Sequence, residues 1–184
     1  MDKTQMSQRL FAVFFCFASY LFLAGCQGSS DDSQLPESYE TYSSDGISIS
    51  YPQHWSFSYD DSPSLYSSRG ISFSVSELSG VSVLVESDQE TTTKDILDGF
   101  LSRLNIDRDP MLKELERESV EISGNEGEVL RWVDTLVDRS DRELTVVKVY
   151  DQPMDVYAVF NLTDDDIETV KPHMPKFVER IILK

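Results

Sequence analysis

The chain has 184 residues, and 33 acidic side chains against 16 basic ones give it a formal net charge of −17. A field of that sign repels phosphate backbones and anionic headgroups, so nucleic acid is excluded as a partner class, while basic partners and dications are attracted nonspecifically. With only two cysteines and two histidines, the chain has little material for a disulfide framework or for a zinc site built on local ligand spacing.

Lys3 and Arg9 precede an apolar run from Leu10 through Leu23 that is broken only by Ser19. A membrane span needs about 20 apolar residues to cross roughly 30 Å of hydrocarbon, and this run stops short of that, which is the layout of an export signal. It ends in Leu23-Ala24-Gly25-Cys26, which resembles the lipobox of bacterial lipoproteins. The resemblance implies cleavage between Gly25 and Cys26, and diacylglycerol with further acyl chains (palmitate among them) on the Cys26 thiol. At about 0.8 kcal/mol per buried methylene, two or three acyl chains hold a protein at a membrane essentially permanently. Gln27 stands where inner-membrane retention in lipoproteins of the enteric type often uses Asp, so the same resemblance points to the periplasmic face of the outer membrane.

Cys16 lies in the segment to be removed and Cys26 would be blocked by its thioether, so no thiol remains to form a disulfide. Losing Asp2, Lys3 and Arg9 with the leader takes the formal charge from −17 to −18. The rest of the chain is long enough to bury about 70% of its unfolded surface without covalent staples. Residues 26–40 are rich in Ser, Asp and Gln, contain Pro36 and show no apolar periodicity, the composition of a flexible tether of at most about 45 Å. The domain expectation is therefore 1–25 signal peptide, 26–40 lipidated cysteine and tether, and 41–184 globular.

Period-two alternation then begins. Ile47, Ile49 and Tyr51 alternate with Ser48 and Ser50, and Trp55, Phe57 and Tyr59 with Ser56 and Ser58, predicting two half-buried strands joined by a turn over 52–54. Ile71, Phe73 and Val75, then Val81 to Val85 after Ser79-Gly80, predict a hairpin. Thr93 to Leu104 changes to helical spacing behind a Thr cap. The segment from Leu112 to Ile122 leans to strand, because Gly124-Asn125-Glu126-Gly127 has the look of a hairpin turn into a strand over 128–137. Leu144 to Tyr150 and Asp155 to Leu162 are denser apolar runs, the mark of strands covered on both faces. Thr163 then caps a closing helix with Asp164, Asp165 and Asp166 at its positive end and apolar positions through Ile181 and Ile182, in which Pro172 and Pro175 force a kink or break.

This order of elements predicts one α+β domain with helices packed on an antiparallel sheet. The run Asp45-Gly46-Ile47-Ser48-Ile49-Ser50-Tyr51-Pro52-Gln53-His54-Trp55 resembles the opening of PsbP-like and DcrB-like domains, and the closing helix ending in Phe177 to Leu183 is also similar. The resemblance implies a Mog1/PsbP-like α-β-α sandwich and a noncatalytic accessory role, with no catalytic residues, cofactor or metal carried over.

Candidate chemistry is sparse. His54 and His173 lie 119 positions apart, no Gly-x-Ser-x-Gly elbow occurs, and no Asp-x-Asp-x-Asp-Gly loop accompanies Asp164 to Asp166, which helix capping explains. Asn161-Leu162-Thr163 matches a glycosylation sequon, but it falls where a strand should meet a helix cap. Ser48, Ser50, Ser56, Ser58, Ser72, Ser74 and Ser76 would line one face of neighbouring strands, a flat hydrogen-bonding surface able to dock an envelope protein or a polar ligand. Strand alternation on a solvated face explains the same serines without a partner.

Overall fold

The computed structural model describes residues 38–61, 69–86, 91–103, 116–134, 140–152 and 154–184. The expected leader and tether up to residue 37, with Gly25 and Cys26, lie outside these, as do the ends of the expected helix and strands at 104, 112–115 and 135–137.

Among the described residues, ten strands form two antiparallel sheets. β1 (Tyr39–Ser44), β2 (Ile47–Pro52) and β10 (Ile181–Leu183) make a three-stranded sheet in the order β1-β2-β10. The second sheet has seven strands, β3 (Ser56–Asp61), β4 (Arg69–Ser74), β5 (Gly80–Glu86), β6 (Glu116–Ile122), β7 (Asn125–Asp134), β8 (Ser140–Tyr150) and β9 (Asp155–Thr163), in the order β3-β4-β5-β9-β8-β7-β6. Helix α1 (Thr93–Arg103) packs on one face of this sheet, against β7 and β8. The three-stranded sheet lies over the other face together with α2 (Asp164–Val170), a 3-10 turn at Lys171–His173 and α3 (Met174–Glu179).

The alternation read from the sequence explains which faces meet. Ile47, Ile49 and Tyr51 of β2 point inward onto Ile71 and Phe73 of β4, Val81 and Val83 of β5 and Phe160 of β9, and Phe177 fills the space between the layers. A smaller core under α1 gathers Leu97, Leu130, Trp132, Leu144, Val146, Tyr157 and Val159. β8 and β9 serve both cores, so Leu144 to Val147 and Val156 to Phe160 are buried without interruption, as their density requires. The Tyr157 hydroxyl donates to the Thr91 carbonyl ahead of α1 and to Asp155 (3.3 Å); burial first, then the Asp155 charge, pushes its pKa up.

Four expectations change. β1 takes in Tyr39 and Glu40 from the end of the presumed tether, and its turn into β2 has Asp45 at φ 42° and Gly46 at φ 81°, a two-residue hairpin with both centres left-handed. The β6–β7 turn is Ser123-Gly124 (φ 52° and 76°), so Asn125 and Glu126 already belong to β7. Gly127 is instead a strand residue, and a Cβ there would stand 2.6 Å from the Val146 carbonyl oxygen, so only glycine lets β7 approach β8.

Trp55, Phe57 and Tyr59 do not share a buried face. Trp55 is in the turn and buried, whereas Phe57 and Tyr59 are 42% and 55% exposed. β3 is an edge strand, and the extra residue Ser58 between the Phe57–Phe73 and Tyr59–Ser72 pairs turns Tyr59 to the opposite face. Finally, the closing helix ends at Glu179, and Ile181–Leu183 form β10 against β2 rather than a last helical turn. Pro172 and Pro175 divide the helical part into three short pieces, and the β-branched Ile181 and Ile182 suit the strand that follows. Thr163 occupies the N-cap of α2, but its hydroxyl donates to Asp166 (2.9 Å) rather than accepting a helix N–H.

Candidate functional site

Sheet twist and strand order decide what becomes of the serines. Ser48 and Ser50 lie on the outer face of the three-stranded sheet, where they bond Ser43 (2.7 Å) and Thr41 (3.0 Å). Ser56, Ser58, Ser72 and Ser74 lie on the outer face of β3 and β4, with hydroxyl pairs Ser58–Ser74 (2.6 Å) and Ser72–Ser82 (2.7 Å). Because the two sheets pack inner face to inner face, these are opposite sides of the sandwich, and the expected single serine face is corrected to two. Ser76 belongs to neither; it sits in the β4–β5 turn and donates to Asp166 (2.7 Å), joining that turn to α2. Ser82, one strand further on, was not singled out, although its place in the alternation of β5 marks it.

Beside the β3–β5 serine patch, an open groove of about 410 Å³ runs toward α1, with Leu84, Ile96, Phe100 and Tyr59 as its apolar and aromatic lining and Glu86 and Asp95 at its rim. Hydrogen bonds from Thr92 hold Asp95 below the usual carboxylate range.

On the opposite face, β6–β8, α2 and Lys171 of the 3-10 turn line a second open groove, also of about 410 Å³. Its wall carries Glu143, 2% exposed, which no sequence signal distinguished. Arg131 donates to Glu143 through Nε (2.9 Å) and pairs with Glu118 (2.9 Å); Lys171 stands 3.7 Å from Glu143, and Thr145 donates to it (3.3 Å). Hydrogen bonds that Arg131 donates to Glu118 first and Glu143 second raise its pKa. Both Glu143 oxygens are thus engaged by side chains of the chain itself. This cluster ties β6, β7, β8 and the 3-10 turn together, a structural role for a buried, fully bonded charge.

The histidines provide the feature that sequence distance hid. His54, exposed in the β2–β3 turn, and His173, half-buried in the 3-10 turn, have ring centroids 5.3 Å apart. Trp55 meets both edge-on, at 6.2 and 6.3 Å, and packs on Phe177 at 5.5 Å. Among the described residues, no group of three or more His, Cys, Asp and Glu side chains forms a metal-ligand set.

Two antiparallel sheets packed core to core, with helices on both faces of the larger one, define an α+β domain with the PsbP-like fold. The solution structure of cyanobacterial PsbP (CyanoP) from Synechocystis sp. PCC 6803 is similar to this chain, with a TM-score of 0.50 and 16% identity over 87% of this chain and 98% of that one. LpqN, involved in cell envelope biogenesis of Mycobacterium tuberculosis, gives 0.42 and 14% over 81% and 86%. PA94 from Pseudomonas aeruginosa, a protein of unknown function described as a putative regulator, gives 0.38 and 14% over 79% and 97%. No protein-family model and no curated protein matches the sequence. At these identities the likeness to PsbP establishes the fold alone.

Proposed function

We propose that this protein is an envelope lipoprotein that works as a noncatalytic accessory or protein-interaction module, anchored through lipid on Cys26. The observation that carries the reading is the sequence Leu23-Ala24-Gly25-Cys26 at the end of a charged-then-apolar leader, followed within about a dozen residues by the first strand of a PsbP-like domain. Such a tether reaches at most roughly 40 Å, enough to hold the domain near a membrane surface without burying it. The outer membrane, facing the periplasm, is the expected address.

The β3–β5 serine patch supports the interaction role, since small hydroxyls let a partner backbone approach without ordering long side chains. The grooves described above are open to solvent, which favours a macromolecular partner over an enclosed small molecule. A periplasmic small-ligand binder is the second reading, favoured by the aromatic and acidic lining of the groove beside α1.

Two variants test the proposal. Cys26→Ser should abolish acyl labelling and move the protein from the membrane pellet to the soluble fraction; an unlabelled, soluble wild type would remove the anchor. Replacing Ser58 and Ser74 with Lys puts long cations on the patch, and crosslinked partner capture should fall by about tenfold or more with the melting temperature little changed. Equal capture by the folded double variant would sink the patch as the partner face.

A further inference from the structure

His54 and His173 are placed by two backbones that are restrained for independent reasons. The β2–β3 turn is closed by the Trp55 N–H to the Pro52 carbonyl (2.9 Å) and tied to the start of β1 by the Gln53 N–H to the Ser38 carbonyl (2.9 Å). The 3-10 turn carries His173 between Pro172 and Pro175, whose rings fix φ on either side of it, and Met174, Phe177 and Val178 press the following helix into the core. The imidazoles therefore stand beside each other on two restrained turns, tilted, at 5.3 Å between centroids and 58° between planes.

That separation has a chemical meaning. A nitrogen-bound ion stands about 2.0–2.1 Å from its ligand atom, hence about 3.2 Å from the ring centroid, and two rings at a tetrahedral angle around one ion have centroids about 5 Å apart. We propose that His54 and His173 form a two-imidazole site for a transition-metal dication of the Zn²⁺, Ni²⁺ and Cu²⁺ class, with water or a ligand from outside the chain in the remaining positions. Neutral imidazole suits these ions, whereas Ca²⁺ and Mg²⁺ prefer hard oxygen ligands. The formal charge of −17 raises the local concentration of all dications, and the imidazole pair selects among them. Exposure of His54 gives the ion a direct path from solvent. The competing account is that the two rings only stack over Trp55 and shield it, which predicts an effect of substitution on stability and none on metal.

The test uses the full chain, purified in detergent without a polyhistidine tag and stripped with EDTA. Titration calorimetry with Zn²⁺ should show one equivalent bound in the presence of excess Ca²⁺, and one equivalent of Cu²⁺ should quench the Trp55 fraction of the tryptophan emission. His54→Asn should weaken Zn²⁺ binding by at least about tenfold and abolish the quenching, since removing a direct ligand costs no less than removing its supporting partner. Its melting temperature in EDTA should match the wild type, because His54 is exposed. His173→Asn should do the same to metal; should that variant fail to fold, His54→Asn alone decides. Unchanged Zn²⁺ affinity in folded His54→Asn, or no Zn²⁺ binding by the wild type above the Ca²⁺ background, overturns the site.

Discussion

Arg69→Met should destabilise the protein by about 3–5 kcal/mol in urea unfolding, the cost of stranding the Asp60 carboxylate, whose side chain is 12% exposed. Arg69 is 7% exposed. Its guanidinium grips Asp60 with two bonds, Nε–Oδ1 at 2.9 Å and the second guanidinium nitrogen to Oδ2 at 2.7 Å, and also donates to the backbone carbonyls of Ser44 (3.4 Å) and Asp45 (3.3 Å). Tyr42 of β1 donates to the same carboxylate. One cation thus joins β3 and β4 of the larger sheet to the β1–β2 hairpin of the smaller, and removing it leaves Asp60, β3 and the hairpin without their common partner. Replacing both members, Arg69→Met with Asp60→Leu, should recover much of the loss, since an apolar pair avoids the desolvation cost altogether. A double variant as unstable as the single one would show that the carbonyl contacts, not the stranded carboxylate, carry the effect.

The same pair sets an acid limb. The Arg69 hydrogen bonds lower the Asp60 pKa, against burial, which raises it. A carboxylate with a depressed folded pKa contributes stability that is fully present above its unfolded value, about 3.9, and is lost as pH falls through the folded value below it. Stability of the wild type should therefore fall more steeply below about pH 4 than that of the Arg69→Met, Asp60→Leu double variant.

Phe177→Ala should cost about 3–5 kcal/mol, a large share of the 5–15 kcal/mol that a domain of this kind has. Phe177 is fully buried and touches Trp55 at 5.5 Å, Phe160 at 5.7 Å and Phe73 at 6.0 Å, so it joins α3, the β2–β3 turn and the central strands in a single aromatic cluster. The cavity would open where α3, the β2–β3 turn and the larger sheet meet and cannot collapse from one side alone. Near-UV circular dichroism should lose intensity in parallel with the melting temperature, because Trp55 loses a packing partner. Tyr59→Ala, 55% exposed on the edge strand, is the contrast and should change stability by less than about 0.5 kcal/mol. A wild-type midpoint for Phe177→Ala would mean that the closing segment does not belong to the core.

Where hydrophobic alternation is strong, the residues alone were enough. β2, β4, β5, β8, β9 and α1 could be read directly, and the mid-chain hairpin at β6–β7 could be placed to within three residues. β1 was missed because its inward-facing Tyr42 is only half-buried and its polar residues look like tether. β10 was missed because Phe177, Val178, Ile181 and Ile182 fit helical spacing as well as they fit a helix end followed by a strand. The faces of β3 were misread because a bulge at Ser58 breaks the period of two in a way that a run of Ser and aromatic residues does not announce.

The residue order by itself determined the charged-then-apolar run ending in Leu23-Ala24-Gly25-Cys26, the acidic charge, the α+β class and most of the strands, because each depends on local composition or on a period that neighbours in sequence display. Only the tertiary structure decided that the serines divide between opposite faces, that Arg69 and Asp60 tie the two sheets together, and that histidines 119 positions apart stand 5.3 Å from each other. Those relations arise from which strand pairs with which and from how two sheets stack, and pairing partners are selected by burial of whole faces rather than by any residue's own neighbours.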